Sequence, residues 1–176
     1  MEKRMEKIDF HKDILPLKNK LFRLALRITL DRADAEDAVQ DTMIKVWNRR
    51  GRWEEIESVE AFCLTVCRNI ALDKIKALKK EDVRTGSLNA DATDSSYRAN
   101  PEEWTEQKDK VAAIKRIMDS LPEKQRSAMH LRDFEAYSYK EIAAIMGISE
   151  GQVKVNIFRA RQTIKRKYIE ADRNGL

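Results

Sequence analysis

The chain of 176 residues and 20.5 kDa is long enough for one large domain or two small ones. Charged residues make up 37% of it, and it has only five glycines and three prolines, so the composition favours helices with few turns. No apolar run approaches the roughly 18 residues of a membrane span, and the charged N-terminal residues lack the apolar stretch of a signal peptide. The composition therefore predicts a cytoplasmic protein with no membrane insertion of its own.

Positive and negative charges are segregated along the chain. The formal net charge of +5 is, by itself, weak support for a polyanionic partner. Residues 81–109 contain eight acidic and three basic side chains, whereas residues 151–176 contain seven basic and two acidic ones. We therefore expect the acidic middle and the basic C-terminal segment to have separate roles.

The first half of the chain has the apolar periodicity of three helices. In the first helix, apolar residues recur at spacings of four, three and four, namely Leu17, Leu21, Leu24 and Ile28. The second begins at a cap formed by Asp31 or Asp34, and its inner face contains Ala35, Val39, Met43 and Val46. The third begins at Ser58 and ends near Lys80, with an apolar series of Phe62, Val66, Ile70 and Ile75. Their helical spacing predicts that Trp47 and Phe62 lie in the core.

Residues 81–104 are predicted to form a flexible linker. Turn-forming residues follow one another here without helical periodicity, and the acidic side chains repel one another. The chain then comprises a helical domain at residues 8–80, this linker, and a second helical domain at residues 105–172. The predicted fold class is all-α, with two small helical domains.

The second half contains clear helix-start signals. Ser120 with Glu123, and Ser138 with Glu141, fit the capping box, in which the two side chains satisfy free amides of the first turn. Gly147 suits the left-handed residue that ends a helix, and Ser149, two residues on, suits the cap of the next helix. A helix before these signals is predicted from the spacing of Val111, Ile114, Met118 and Leu121. Two helices joined by a short turn with a glycine form the helix-turn-helix pattern.

The last helix has two different faces. At 100° per residue, its buried stripe spans about 60° of arc and consists of Val153, Ile157, Ala160 and Ile164. Val155 and Phe158 lie on the opposite, cationic face, where apolar side chains do not help solubility. The DNA major groove explains this face, because thymine methyl groups offer apolar contacts while basic side chains bind base edges and phosphates. The alternative is a solvated basic helix with two stray apolar residues.

Two blocks of the sequence, one within residues 34–74 and one within residues 121–161, together resemble the extracytoplasmic-function (ECF, group IV) sigma factors of the sigma-70 family. Residues 137–161 (YSYKEIAAIMGISEGQVKVNIFRAR) are similar to their region 4, and residues 121–126 (LPEKQR) to the start of that domain. Residues 34–47 (DAEDAVQDTMIKVW) are similar to region 2.2, and residues 62–74 to regions 2.3 and 2.4. A helix-turn-helix alone is common to many regulators, whereas the two blocks in this order are specific.

The resemblance implies that the 8–80 domain is sigma region 2, which binds core RNA polymerase and opens the −10 promoter element, and that the 105–172 domain is region 4, which reads the −35 element. The polar residues that match the polymerase-binding positions of region 2.2 are Asp37, Gln40 and Asp41. Carboxylates and an amide on one helix face suit the Arg and Asn side chains of a partner coiled coil. A solvated acidic face is the alternative.

The resemblance also implies DNA-contacting residues in both domains. At the −10 element, Trp53 would stack on a base or else fold back on its own domain. The other −10 residues are Arg50, Arg52, Arg68 and Lys74 as phosphate ligands and Asn69 at a base edge. The −35 residues are Lys154, Val155, Asn156, Phe158, Arg159, Arg161 and Lys165. Of these, Lys154 and Phe158 suit base edges and Arg161 suits a phosphate. Asn156 lies near the buried stripe, where we expect a backbone contact or packing instead of base readout.

The partners implied are core RNA polymerase, through the clamp helices of the β′ subunit and the β flap, promoter DNA, and an anti-sigma factor that is often membrane-anchored. The acidic linker matches a family segment that passes through the active-centre cleft toward the RNA exit channel. Its acidity would mimic RNA phosphates there. The alternative is an inert tether.

No metal, cofactor or catalytic residue is predicted. Cys63 and Cys67 lie on one helical face among apolar residues and are expected to be buried free thiols, and His11 and His130 are far apart. No nucleophile and base are matched as in an enzyme. The predicted function is that of an ECF-type sigma factor. The alternative is a stand-alone helix-turn-helix regulator that binds an operator as a dimer.

Overall fold

The computed structural model of the chain describes residues 8–85 and 106–173, and every regular element in these two ranges is helical. Two compact units are formed, one mainly by residues 8–85 and the other mainly by residues 106–173. The predicted all-α fold with two small helical domains is therefore confirmed. Of the predicted linker, only the first five residues lie within the described ranges.

Three long helices form the first unit: α1 (Lys18–Thr29), α2 (Arg32–Asn48) and α3 (Val59–Thr85). Each packs against the other two, and a π-helical turn (Phe10–Ile14) and a 3₁₀ turn (Leu15–Leu17) precede them. The core between the helices includes Leu21, Leu24, Val39, Leu64 and Cys67, none more than 2% exposed. Burial of this apolar surface stabilises the bundle, at about 25 cal/mol per Å² removed from water.

The helix ends of the first unit follow local sequence signals. Leu30 ends α1 in the left-handed conformation (φ 58°), and its N–H donates to the Leu26 carbonyl. Of the two candidate caps of α2, Asp31 is the cap, because its carboxylate accepts the Asp34 N–H at 2.9 Å. Ser58 caps α3 as predicted, with its Oγ 3.3 Å from the Ala61 nitrogen.

Two predictions about the first unit are wrong. Helix α3 continues to Thr85 instead of ending near Lys80, because residues 81–85 contain no glycine or proline to stop it. Trp47 is 45% exposed and does not belong to the core, while Phe62 is half-buried. The reason is that the buried face of α2 consists of small side chains together with Val39 and Val46. Trp47, next to Val46 in the sequence, lies at the edge of this face.

Residues 106–173 form α4 (Glu106–Asp119), α5 (Glu123–Met129), a π-helical turn (His130–Phe134), α6 (Tyr139–Met146) and α7 (Glu150–Arg173). Helices α4 and α5 pack against α7. Met118, Leu121, Met129 and Ala160 form a buried cluster at this contact. Val111, predicted to lie on the same face, is 63% exposed, and Ala113 is buried instead.

The helix-turn-helix is capped as its sequence predicts. Glu141 accepts hydrogen bonds from the backbone N–H and hydroxyl of Ser138, and the Ser138 Oγ accepts the Glu141 N–H. Gly147 ends α6 with φ +65°, a conformation that favours glycine. Ser149 caps α7 together with Gln152, each side chain accepting a backbone N–H of the other residue.

The predicted capping box of Ser120 and Glu123 does not form. Because α4 runs to Asp119, Ser120 belongs to its last turn and its hydroxyl donates to the Ile117 carbonyl at 2.7 Å. Pro122 occupies the cap position of α5 without a side-chain hydrogen bond. The buried Arg126 guanidinium donates to the Asp119 carbonyl at the end of α4 and to the Leu121 carbonyl just after it, at 3.0 and 2.6 Å.

Candidate nucleic-acid interface

The two faces of α7 are as the sequence predicts. Val153, Ile157 and Ala160 are at most 2% exposed, whereas Val155 is 46% and Phe158 63% exposed. Arg159 and Lys165 are exposed as well. An apolar pair among cations is therefore displayed on the surface of a well-capped helix, a composition that suits the edges and phosphates of duplex DNA.

Contacts within the second unit orient the side chains at the start of α7. The Lys154 ammonium lies 5.4 Å from the centre of the Tyr139 ring, and the Arg132 guanidinium lies 4.8 Å from the same ring. Asn156 is half-buried and its amide donates to the Gln152 carbonyl of its own helix at 2.8 Å. Lys154 is thus exposed and in contact with a ring, while Asn156 is bound to the helix that carries it.

An ion pair orients Arg161 farther along α7. Its Nε and Nη2 lie 3.2 and 2.5 Å from the two carboxylate oxygens of Asp133, on the π-helical turn. The hydrogen bond that Arg161 donates to Asp133 raises the pKa of the guanidinium, which therefore stays charged. A guanidinium has five donors, so this pair leaves several for a phosphate. The sequence alone gave no sign of this partner, because the two residues are 28 positions apart.

The acidic face predicted on α2 is exposed. Asp37, Gln40 and Asp41 all lie at the surface, and Asp41 is 3.4 Å from the Lys74 ammonium of α3. Ile44, one turn farther along α2, is 59% exposed and extends this face with an apolar side chain. Sequence reasoning missed Ile44, although its spacing of four from Gln40 and three from Asp41 was the available signal.

The segment between α2 and α3 forms a 3₁₀ helix (Arg50–Glu55) that contacts α2. The Trp53 indole N–H donates to the Val46 carbonyl at 3.0 Å, and its ring packs edge-on against Trp47. The Phe10 ring also packs edge-on against Trp47, with the two ring centres 5.2 Å apart. The Arg50 guanidinium lies 4.9 Å from the centre of the Trp47 ring. In this structure Trp53 therefore packs against its own domain, which is the second of the two alternatives given for it.

The remaining −10 candidates differ in exposure. Arg50, Arg52 and Asn69 are exposed, Lys74 is half-buried, and Arg68 is only 6% exposed. Arg52 pairs with Glu55 at 2.9 Å, a hydrogen bond that raises the pKa of the guanidinium and lowers the pKa of the carboxyl. The exposed candidates are therefore Arg50, Arg52 and Asn69, of which Arg50 contacts Trp47 and Arg52 pairs with Glu55.

Cys63 and Cys67 are buried free thiols, as predicted, and burial raises the pKa of Cys63 to about 12 and that of Cys67 to about 11. Within residues 8–85 and 106–173, no group of three or more His, Cys, Asp or Glu side chains is arranged to hold a metal ion. Over the same ranges, no helix has the length and apolar character needed to cross a membrane.

The sequence matches two family models, one in each unit. Residues 14–81 match sigma-70 region 2, and residues 112–164 match sigma-70 region 4. The first match includes the acidic face of α2 and the second includes the helix-turn-helix. The order along the chain is the order expected from the sequence resemblance.

Known proteins are similar over nearly the whole chain. The ECF RNA polymerase sigma factor SigM of Bacillus subtilis is 32% identical over 85% of this chain and 89% of its own length. The ECF RNA polymerase sigma factor SigE of Mycolicibacterium smegmatis is 29% identical over 84% of this chain, which spans 56% of that relative's length. Among solved structures, the sigma factor RpoE of Bartonella quintana, in complex with the anti-sigma factor NepR, is similar with a TM-score of 0.69 and 25% identity, covering 90% of this chain and 96% of that one.

Proposed function

Because the chain belongs to the ECF sigma factors of the sigma-70 family, we propose that it directs core RNA polymerase to specific promoters by opening the −10 element and reading the −35 element. Sigma factors are transcription initiation factors, not enzymes. The chain would act in the cytoplasm with the polymerase, and it would need no cofactor. The proposed domains are residues 8–80 for region 2, 81–104 for the linker and 105–172 for region 4.

The observation that carries the proposal is the exposed face of α7. Phe158 is 63% exposed on a helix whose opposite face is fully buried, so it is available to the major groove. Arg159 and Lys165 lie exposed on the same helix, and Lys154 and Arg161 are held by neighbouring residues. Val155 and Phe158 would contact base edges, while the cations bind phosphates and guanine.

Core RNA polymerase would bind both units. On α2, Asp37, Gln40 and Asp41 would pair with basic and amide side chains of the β′ clamp helices, and Ile44 would supply an apolar centre. Polar contacts around an apolar residue are the usual arrangement of a protein interface.

The second unit offers a separate site for the β flap. A shallow apolar groove lies between α4, the π-helical turn and α7, lined by Ile114, Met118, Met129, Ile164 and Tyr168. Phe134 at its edge is 59% exposed. An apolar segment of the flap would cover these side chains.

An anti-sigma factor is the proposed regulator. The Bartonella quintana relative was solved bound to its anti-sigma factor NepR. An anti-sigma factor of this chain, often membrane-anchored in the family, would cover the polymerase-binding surfaces until a signal releases it.

The experiment that tests the proposed function is reconstitution with core RNA polymerase. The purified chain should co-elute with core enzyme and produce transcripts from a subset of promoters that core alone does not use. The rival, a stand-alone regulator, predicts a dimer that binds operator DNA tightly without polymerase. A chain that does so, and that fails to associate with core, would contradict the proposal.

A further inference from the structure

Tyr139, the first residue of α6, is in contact with two cations of the second unit. The Lys154 ammonium and the Arg132 guanidinium lie 5.4 and 4.8 Å from the centre of its ring. Arg132 is also fixed by a hydrogen bond from its Nη1 to the Tyr137 carbonyl at 2.8 Å. The face of an aromatic ring attracts a cation within about 6 Å, so both contacts are favourable.

Lys154 is the residue for which this contact has a functional consequence. It is the fifth residue of α7, is exposed, and carries a flexible four-carbon chain whose ordering on binding costs entropy. A side chain that is already held by a ring loses less entropy when it binds a base edge or a phosphate. Lys154 and Arg132 also repel each other because both are positive and both contact the same ring. An anion such as a phosphate beside them would reduce this repulsion.

We propose that Tyr139 is a positioning residue for −35 recognition, because its ring holds the Lys154 ammonium in the orientation that contacts the DNA. This inference rests on the proposed function of α7. In this helix-turn-helix, α6 would then do more than pack against the rest of the motif, because its Tyr139 would also orient the Lys154 side chain of α7. Tyr139 itself need not touch the DNA.

The first test is made on the free full-length chain by NMR. Ring-current shielding should move the ε-methylene protons of Lys154 upfield in the wild type. The shift should persist in Tyr139→Phe, which keeps the ring, and vanish in Tyr139→Leu, which removes it. Unshifted Lys154 protons in the wild type would overturn the proposal.

The second test is a double-mutant cycle with holoenzyme on a −35 duplex selected from a randomised library. Tyr139→Leu should weaken binding about two- to fivefold, the range expected for an exposed cation–π contact, while Tyr139→Phe stays close to wild type. In the Lys154→Ala background, Tyr139→Leu should have no further effect, because the contact is already absent. The preference at the base pair that Lys154 contacts should weaken in both single variants.

The outcomes separate this inference from the function beneath it. If the two substitutions reduce affinity independently, Tyr139 acts through packing and the inference is overturned, while −35 recognition by α7 stands. If Lys154→Ala leaves both affinity and sequence preference unchanged, the inference is overturned together with the DNA contact assigned to Lys154. If the wild-type holoenzyme selects no −35 sequence, the proposed function itself is contradicted. Unfolding midpoints of the variants, followed by circular dichroism, identify any loss that comes from misfolding.

Discussion

Asp133 accepts two hydrogen bonds from Arg161, with Nε and Nη2 at 3.2 and 2.5 Å from its two carboxylate oxygens. The pair joins the π-helical turn to the middle of α7. Exposed ion pairs contribute only about 0–1 kcal/mol to stability, so the main consequence here is geometric. The bidentate contact fixes the plane of a guanidinium beside the exposed face of α7, with further donors available to a phosphate.

Arg161→Ala should weaken holoenzyme binding to all duplexes by a similar factor, because a phosphate contact carries no sequence information. The slope of log affinity against log salt should fall by about 1. Binding to a preferred and an unrelated duplex, each measured over a range of salt, checks both effects. Lys167→Ala is the matched control, since this cation of α7 donates to the Ser120 hydroxyl instead and should leave the slope nearly unchanged. A loss confined to one sequence would contradict the phosphate assignment.

Asp37→Arg should abolish association with core RNA polymerase while the fold stays intact. The side chain is exposed, so reversing its charge disturbs no core packing but opposes a basic partner. A pull-down with core enzyme, with circular dichroism alongside, measures both. Glu36→Arg is the control, because Glu36 is on the same helix but turned toward Arg32, with which it pairs at 2.9 Å. Equal retention of core by Asp37→Arg and Glu36→Arg would remove Asp37 from the interface.

Trp53→Phe should lower the free energy of unfolding by about 1 kcal/mol, because the hydrogen bond from the indole N–H to the Val46 carbonyl is lost. Promoter opening should be nearly unchanged, since phenylalanine keeps an aromatic ring in the cluster with Trp47. Urea unfolding and permanganate footprinting of the −10 region measure the two quantities. Normal stability combined with defective opening would instead place the indole N–H in contact with DNA.

Local signals explain why much of the second unit could be predicted from sequence. The Ser138–Glu141 capping box, the left-handed Gly147 and the buried stripe of α7 each depend on residues within one or two helical turns. The same short range explains the failure at Ser120. The motif fits a capping box, but the preceding helix extends far enough to include Ser120 in its last turn.

Tertiary contacts explain what could not be predicted. Trp47 has core spacing on α2, yet it is 45% exposed and packs against Phe10 and Trp53 instead of the core. The hydrogen bond from Trp53 to Val46 and the ion pair from Arg161 to Asp133 join residues that no periodic pattern connects. The exposed face of α7 could therefore be predicted from the helical periodicity of the sequence. The residues that orient its side chains could be identified only from the structure.

The buried thiols predict a pH dependence of stability. Burial raises the pKa of Cys63 to about 12 and that of Cys67 to about 11, compared with about 8.5 for an exposed thiol. Above about pH 8.5 the thiols of the unfolded chain lose their protons, whereas the buried thiols of the folded chain keep them. The free energy of unfolding should therefore fall as the pH rises from about 9 toward 11. Urea unfolding at pH 8 and pH 10 measures this fall. It should be smaller in the Cys63→Ala/Cys67→Ala variant, and an equal fall in both proteins would contradict thiol burial as its cause.

In the proposed function, the exposed face of α7 recognises the −35 element. The most direct measurement is selection of a randomised −35 library by holoenzymes that carry the wild-type chain, Phe158→Ala or Arg161→Ala. Phe158→Ala should lose about tenfold on the preferred sequence, equivalent to about 1.4 kcal/mol, and much less on others. Arg161→Ala should keep the wild-type preference at lower affinity. If Phe158→Ala retains the wild-type preference and loses affinity uniformly, α7 does not present this face to the major groove and the account is wrong.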